Sequence, residues 1–247
     1  MTKKTIFAVS DIHGHYTQLK TALDRAGYCA DDPSHLLVCC GDYFDRGSEN
    51  LRVLKFFDFL DRKVLLRGNH EDMLLNLFRT GQLMPYHCTN GTVATVLEFF
   101  GKYSVDGFDW IDFSGRTRML DRVTDFIHGT HNYFETEHYV FTHGWLPTTL
   151  SASGPMIDPA WRRASPERWI AARRARWTEM YPQCGRLPDR TLVCGHVPTC
   201  FAAELYPERR PEDFSILRKD GLIVLDAGTF SSGEVNVLVI PDEPCPT

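Results

Sequence analysis

No apolar run in this chain is long enough to cross a bilayer. The longest, such as residues 6–9 and 139–141, fall far short of the ~20 residues a spanning helix needs. No secretory leader is expected, because Ser10 and Asp11 interrupt the short apolar run that follows Met1-Thr2-Lys3-Lys4. The expectation is a cytoplasmic protein with no membrane partner. Surplus positive charge is absent: 27 basic residues against 32 acidic ones leave a net charge of −5, so no overall field draws the chain to nucleic acid. Any anionic ligand must be held locally. The eight cysteines include no C-x-x-C pair, which speaks against a thiolate zinc site or a disulfide framework; reduced thiols packed as small hydrophobes are expected. The G-x-x-x-x-G-K phosphate loop is missing, which disfavours ATP-driven phosphoryl transfer. Internal repeats, heptads and low-complexity tracts are also lacking, and nothing in the sequence speaks to oligomeric state.

What is present suits one domain over residues 1–247. Apolar content of 43% and charged content of 24% are ordinary globular values. A chain of this length buries about 70–75% of its unfolded surface, so a metal is not needed for stability and would serve chemistry.

Residues 5–10, 36–40 and 64–66 are apolar runs that predict strands. Leu19, Ala22, Leu23 and Ala26 recur at helical spacing before Gly27, and Met73, Leu74, Leu77 and Phe78 do so before Gly81. Between them Ser48 is placed to cap a helix carrying Leu51, Leu54 and Phe57. The first 80 residues therefore predict βαβαβα and a parallel sheet. Residues 82–137 carry weaker signals and are expected to form an insertion or cap, helical at 92–100 and 116–127, with a loop at 106–114. Strands are expected again at 138–142, 192–194, 222–225 and 235–240. An Arg- and Trp-rich segment, 161–180, lies among them. A second sheet built from these later strands gives a layered α/β sandwich.

The chemistry follows the strands. Asp11-Ile12-His13 ends the first run, Gly41-Asp42 the second and Gly68-Asn69-His70-Glu71 the third; His143-Gly144 and Gly195-His196 end two later ones. In open α/β sheets ligands bind beyond the carboxyl ends of strands, so these side chains can share one site. A donor set of Asp, His and Asn without thiolate favours manganese, iron, zinc or a similar divalent ion, and one Asp can bridge two of them. Any one of these residues alone reads as an ordinary turn residue; the set does not.

Asp11-x-His13-Gly14, Gly41-Asp42-x-x-Asp45-Arg46-Gly47 and Gly68-Asn69-His70-Glu71 resemble the signature blocks of the phosphoprotein phosphatase branch of calcineurin-like metallophosphoesterases, with His143 and His196 fitting its two later histidine blocks. That branch includes serine/threonine phosphatases and symmetrical diadenosine tetraphosphate hydrolases. Ser10 stands where many members have Gly, and Ser48 where many have Pro. The resemblance implies an α/β/β/α sandwich of mixed sheets with a helical insertion. It assigns Asp11, His13 and Asp42 to one metal, and Asp42, Asn69, His143 and His196 to a second. It implies two divalent ions, manganese first, with iron, zinc, cobalt or nickel as alternatives, and direct attack of a metal-bound hydroxide on phosphorus. His70 would protonate the leaving oxygen, Asp45 would orient His70, and Arg46, with Asn69, would bind phosphate. A second phosphate-binding arginine is expected among Arg173, Arg174 and Arg176, where a local surplus of positive charge could offset the net −5. The implied substrate is a phosphorylated protein or small phosphomonoester. Hydrolysis of diadenosine tetraphosphate is the close alternative, and a non-catalytic binding scaffold the remote one.

Overall fold

A computed structural model describes residues 2–105, 108–111 and 117–246. Strand β1 (Thr2–Val9), helix α1 (Tyr16–Arg25), strand β2 (His35–Cys39), helix α2 (Asn50–Phe59), strand β3 (Lys63–Leu65) and helix α3 (Asn69–Thr80) repeat one strand-helix unit three times. Helix α3 stops where Gly81 takes a φ of +64°, a conformation that costs glycine little. Helix α2 departs from expectation, because Ser48 does not cap it. Its opening N–H groups, on Asn50 and Leu51, donate instead to the Glu98 carboxylate at 3.0 and 2.7 Å. No local signal announces a cap that comes from another helix.

Helices α4 (Pro85–Thr89) and α5 (Thr92–Phe100), the hairpin of β4 (Lys102–Val105) with β5 (Phe108–Ile111), and helix α6 (Thr117–His128) follow. Strand β5 occupies 108–111 of the stretch expected to be a loop, and the remainder of 106–114 lies outside the described residues, as does residue 116 of the expected second helix. Helices α5 and α6 bury Val96, Phe99, Phe100, Val123, Phe126 and Ile127 in the same cluster as Phe7, Val9, Leu37 and Tyr43. They are therefore part of the helical layer against the first sheet.

The chain continues through β6 (Tyr133–Glu135), β7 (Tyr139–Thr142), β8 (Thr148–Ser151), β9 (Gly154–Ile157), α7 (Pro166–Arg173), α8 (Trp177–Cys184), β10 (Thr191–Cys194), β11 (Leu217–Lys219), β12 (Leu222–Val224), α9 (Thr229–Ser232) and β13 (Leu238–Cys245). The last strand begins later and runs further than the expected 235–240, because it pairs along the whole of β1, from Ala8 against Leu238 to Thr2 against Cys245.

One sheet has the order β13-β1-β2-β3, with β1, β2 and β3 parallel and β13 antiparallel at the edge. The other has the order β11-β12-β10-β7-β6, parallel in its central three strands and antiparallel at both edges. Alternation along each strand divides the core. Ile6, Ala8, Val38 and Cys40 meet Phe141, Val193, Ile223 and Leu225 between the sheets, while Phe7, Val9, Leu37 and Cys39 face the helices. Trp145, Trp161, Trp169 and Trp177 cover the outer face of the second sheet. The result is the α/β/β/α sandwich with mixed sheets. All eight cysteines are unpaired, and burial raises the thiol pKa values of Cys39, Cys40 and Cys194.

Candidate active site

Stacking the two sheets brings five strand-end loops together. Asp11 N–H donates to Gly41 O at 3.1 Å and His13 N–H to Asp42 O at 3.0 Å, which locks the first two loops. Gly195 N–H donates to His143 O at 2.7 Å, which locks the last two. The His143 ring then bonds Cys40 O at 2.8 Å and the His196 N–H bonds Asp11 Oδ2 at 2.9 Å, so each sheet holds the other's loops. Space is short: a Cβ on Gly68 would fall on Asp42 Oδ1, and one on Gly195 on Ser10 Oγ and Asp11 Oδ2. The backbone is strained as well. Asp11, His13, Asp42, Asp45, Arg46 and His196 all have φ between 48° and 74°, and among the described residues Asp242 alone joins them as a non-glycine with positive φ. Strain concentrated on chemically active side chains is a mark of a functional site.

Asp42 is the centre. Its Oδ2 lies 3.7 Å from His13 Nε2, 3.8 Å from His70 Nε2 and 3.4 Å from His143 Nε2. Donor atoms of His13, Asp42 and His70 all lie within 4.8 Å of one another, and so do those of Asp42, His143 and His196. Asn69 Oδ1 stands 2.9 Å from His143 Nε2. The Asp11 Oδ1 atom is buried without a hydrogen-bond partner, 4.0 Å from His13 Nε2.

These groups fit divalent cations. Three imidazoles give one ring N–H to a backbone carbonyl: His13 Nδ1 to Phe44 O at 2.9 Å, His143 Nδ1 to Cys40 O at 2.8 Å, and His196 Nε2 to Arg174 O at 3.2 Å. Each thereby has its ring fixed with the other nitrogen toward the carboxylate cluster, the way metal-binding histidines are held. The electrostatics agree. Burial raises the carboxyl pKa values of Asp11, Asp226 and Glu71, the last to about 7. Burial would lower His143, yet Asp42 beside it drives it up to about 10. The pocket thus favours positive charge at its centre, and an ion pair or metal is what a buried carboxylate cluster requires.

Beside this centre His70 is tied down by Asp45, with Nδ1 to Asp45 Oδ2 at 2.7 Å, and Arg46 Nη2 lies 3.4 Å from His70 Nε2. Burial would lower the pKa of His70, but Asp42 and the bond to Asp45 outweigh it and raise it. Glu71 does more than open α3. It is fully buried, and its carboxylate accepts the N–H groups of Asp42, Tyr43 and Gly68 at 3.0, 3.0 and 2.8 Å, fastening the second loop to the third. Ser10 donates to Asp11 Oδ2, so the residue that departs from the family pattern supplies a hydroxyl for a site carboxylate.

The arginines divide. Arg173 is buried, with Nε on Asp72 Oδ2 at 2.8 Å and Nη1 on Asn132 Oδ1 at 2.7 Å. Arg176 is exposed and 3.7 Å from Glu179. Arg174 is exposed, offers its carbonyl to His196, and forms no side-chain ion pair with another described residue. Arg162 and Arg168 are likewise occupied by Glu135 and Asp158, so little of the local positive surplus is free. Of the other histidines, His35 lies against Asp32, His87 is buried on Met73 O and His138 bonds Glu243.

Sequence reasoning missed the supports from α5. Thr92 Oγ1 and Thr95 Oγ1 donate to the two oxygens of Asp45, each at 2.7 Å, and Glu98 holds Asn50. Their one signal is two threonines and a glutamate, three residues apart, in a helix of otherwise apolar residues.

Comparison with known proteins agrees with this geometry. Residues 4–200 match the calcineurin-like phosphoesterase family. A serine/threonine-protein phosphatase 2 from Salmonella typhimurium is 40% identical over 95% of this chain and 92% of its own length. A symmetrical bis(5'-nucleosyl)-tetraphosphatase from Wigglesworthia glossinidia brevipalpis is 33% identical over 29% of this chain and 26% of its own. Among solved structures, one titled a putative diadenosine tetraphosphatase superposes with a TM-score of 0.53 at 16% identity, covering 97% of this chain and 94% of that one, which speaks to the fold. The chain belongs to the calcineurin-like phosphoesterase family and is a phosphoester hydrolase.

Proposed function

We propose that the chain hydrolyses phosphoserine and phosphothreonine esters in proteins. Asp11, His13 and Asp42 would hold one divalent cation, and Asp42, Asn69, His143 and His196 a second. The observation that carries this is Asp42, which belongs to both clusters of donor atoms, with His13 and His70 and with His143 and His196, while the unpartnered Asp11 Oδ1 stands 4.0 Å from His13 Nε2. Divalent ions bound there supply Lewis acidity toward water and the phosphoryl oxygens. Oxygen and imidazole donors without thiolate support manganese, and eight unpaired cysteines support a reducing, cytosolic setting.

The chain's own residues then do three things. Arg46 presents a planar fork to two phosphoryl oxygens, and Arg174 approaches from the His196 side. His70 gives its Nε2 proton to the leaving alkoxide, and Asp45 holds the Nδ1–H so that the other nitrogen faces the reaction. Arg173 fastens α7 to α3 through Asp72.

The relatives named for tetraphosphatase activity support a second reading, cleavage of diadenosine tetraphosphate. Incubation of the manganese-loaded protein with a phosphoserine peptide and with that dinucleotide decides between them. Phosphate release from the peptide is expected. ADP from the dinucleotide, with negligible phosphate from the peptide, would reverse the order, and inertness toward both would favour a scaffold.

A further inference from the structure

We infer that Thr92 and Thr95 of α5 are positioning residues for proton transfer by His70, acting through Asp45. The inference rests on the reading of His70 as the acid. Asp45 is buried, and among the described residues no lysine or arginine is bonded to its carboxylate. Hydroxyls take that place. Oδ2 accepts both His70 Nδ1–H and Thr92 Oγ1–H, and Oδ1 accepts Thr95 Oγ1–H, all at 2.7 Å. With donors on both oxygens the carboxylate cannot rotate without losing one of them. Thr95 Oγ1 and Asn50 Oδ1 lie 3.1 and 3.0 Å from the Asp45 N–H, which stabilises a backbone with φ of 74°. Both threonines are wholly buried.

A second observation points the same way. Gly91 precedes α5 with φ of 85°, and a Cβ there would come 2.5 Å from Arg46 N. Gly91, Thr92, Thr95 and Glu98 recur at helical spacing and together close one face of α5 on residues 45–50. Segment 82–137 thereby reaches the chemistry through Asp45. The imidazole is aimed by the carboxylate, and the carboxylate by two hydroxyls.

Valine is nearly isosteric with threonine and lacks the hydroxyl; serine keeps the hydroxyl. The experiment measures kcat and KM for Thr92→Val, Thr95→Val, the double variant, Thr92→Ser and Thr95→Ser. The two substrates are a phosphoserine peptide, whose alkoxide needs a proton, and p-nitrophenyl phosphate, whose leaving group does not. His70→Asn serves as the reference, and circular dichroism melts and elemental analysis check fold and metal content. The valine variants should lose about ten- to a hundredfold in kcat on the peptide, the scale for groups that orient a functional imidazole. The aryl ester should change little, KM should hold, and the serine variants should match the parent. Adding Thr92→Val to His70→Asn should cause no further loss on the peptide. Equal losses on both substrates, additive loss in the His70→Asn background, or serine variants as slow as valine would overturn the inference. If the double variant does not fold, the single and serine variants decide it. His70→Asn falling equally on both substrates would remove the acid reading itself; a split for His70→Asn without one for the valines would remove this inference alone.

Discussion

The two halves of the active site use the same side chain in opposite ways. Around His143 and His196, which follow strands of the second sheet, the outer ring nitrogen bonds a backbone carbonyl, Cys40 O or Arg174 O. Around His70, which follows the first sheet, it bonds a carboxylate that is itself held by two hydroxyls. A carbonyl fixes the ring's orientation; a carboxylate does that and also stabilises the imidazolium. Burial drives His196 down to about 4, whereas Asp42 and Asp45 lift His70 against burial and Asp42 lifts His143 to about 10. The acceptor behind the ring thus distinguishes two sets of histidines at strand ends, while the Asp42 charge lifts a member of each.

Breaking the common centre should have the largest effect. Asp42→Asn is expected to remove bound metal and activity together, by about a thousandfold or more, since Lewis-acid stabilisation is worth several kcal/mol. Elemental analysis beside a phosphatase assay checks this, and a variant retaining both would show that Asp42 is not shared. His70→Asn attacks one half only: metal content should persist, while hydrolysis of alkyl phosphates falls about 10²–10⁴-fold and that of aryl phosphates far less.

The arginines sharpen the same contrast between holding and reacting. Arg173→Ala leaves Asp72 with Arg67 as its remaining partner and removes the donor to Asn132, and should cost stability, about 1–3 kcal/mol, read as a lower denaturation midpoint. Arg174→Ala should leave that midpoint in place and raise KM for phosphoesters. The reverse pattern would exchange their roles.

The smallest effect lies outside both halves. Glu243 on β13 accepts the backbone N–H and the ring of His138 at 2.9 and 3.0 Å, tying the sheets together at the end opposite the site. Burial would raise its pKa, but the bonds from Thr136 and His138 prevail and lower it. A depressed carboxyl pKa stabilises the fold above the unfolded value, near 4.3, and that contribution fades as pH falls through the folded pKa. Glu243→Gln should therefore cost about 1–2 kcal/mol at neutral pH, with the gap from the parent closing below about pH 4 in urea titrations.

Legibility follows the range of the interactions. The βαβαβα order and both glycine stops are visible because burial imposes a local period and a left-handed turn needs a local residue. The metal-binding candidates are visible because five strand ends each carry their own short motif. Helix α2 misleads, since Glu98, a distant residue, does the capping expected of Ser48. Arg173 and Arg174 look alike in sequence because only packing reveals that Asp72 and Asn132 occupy one of them.

Chemical identity was written along the chain: which donors exist, that thiolates are not among them, and that each follows an apolar run. Position was not. It took the stacking of two sheets to make Asp42 a neighbour of His143, and the packing of α5 on residues 45–50 to give Asp45 its donors. Hydrophobic periodicity is a property of neighbours in sequence, whereas hydrogen bonds to a buried carboxylate depend on whatever the fold brings within about 3 Å.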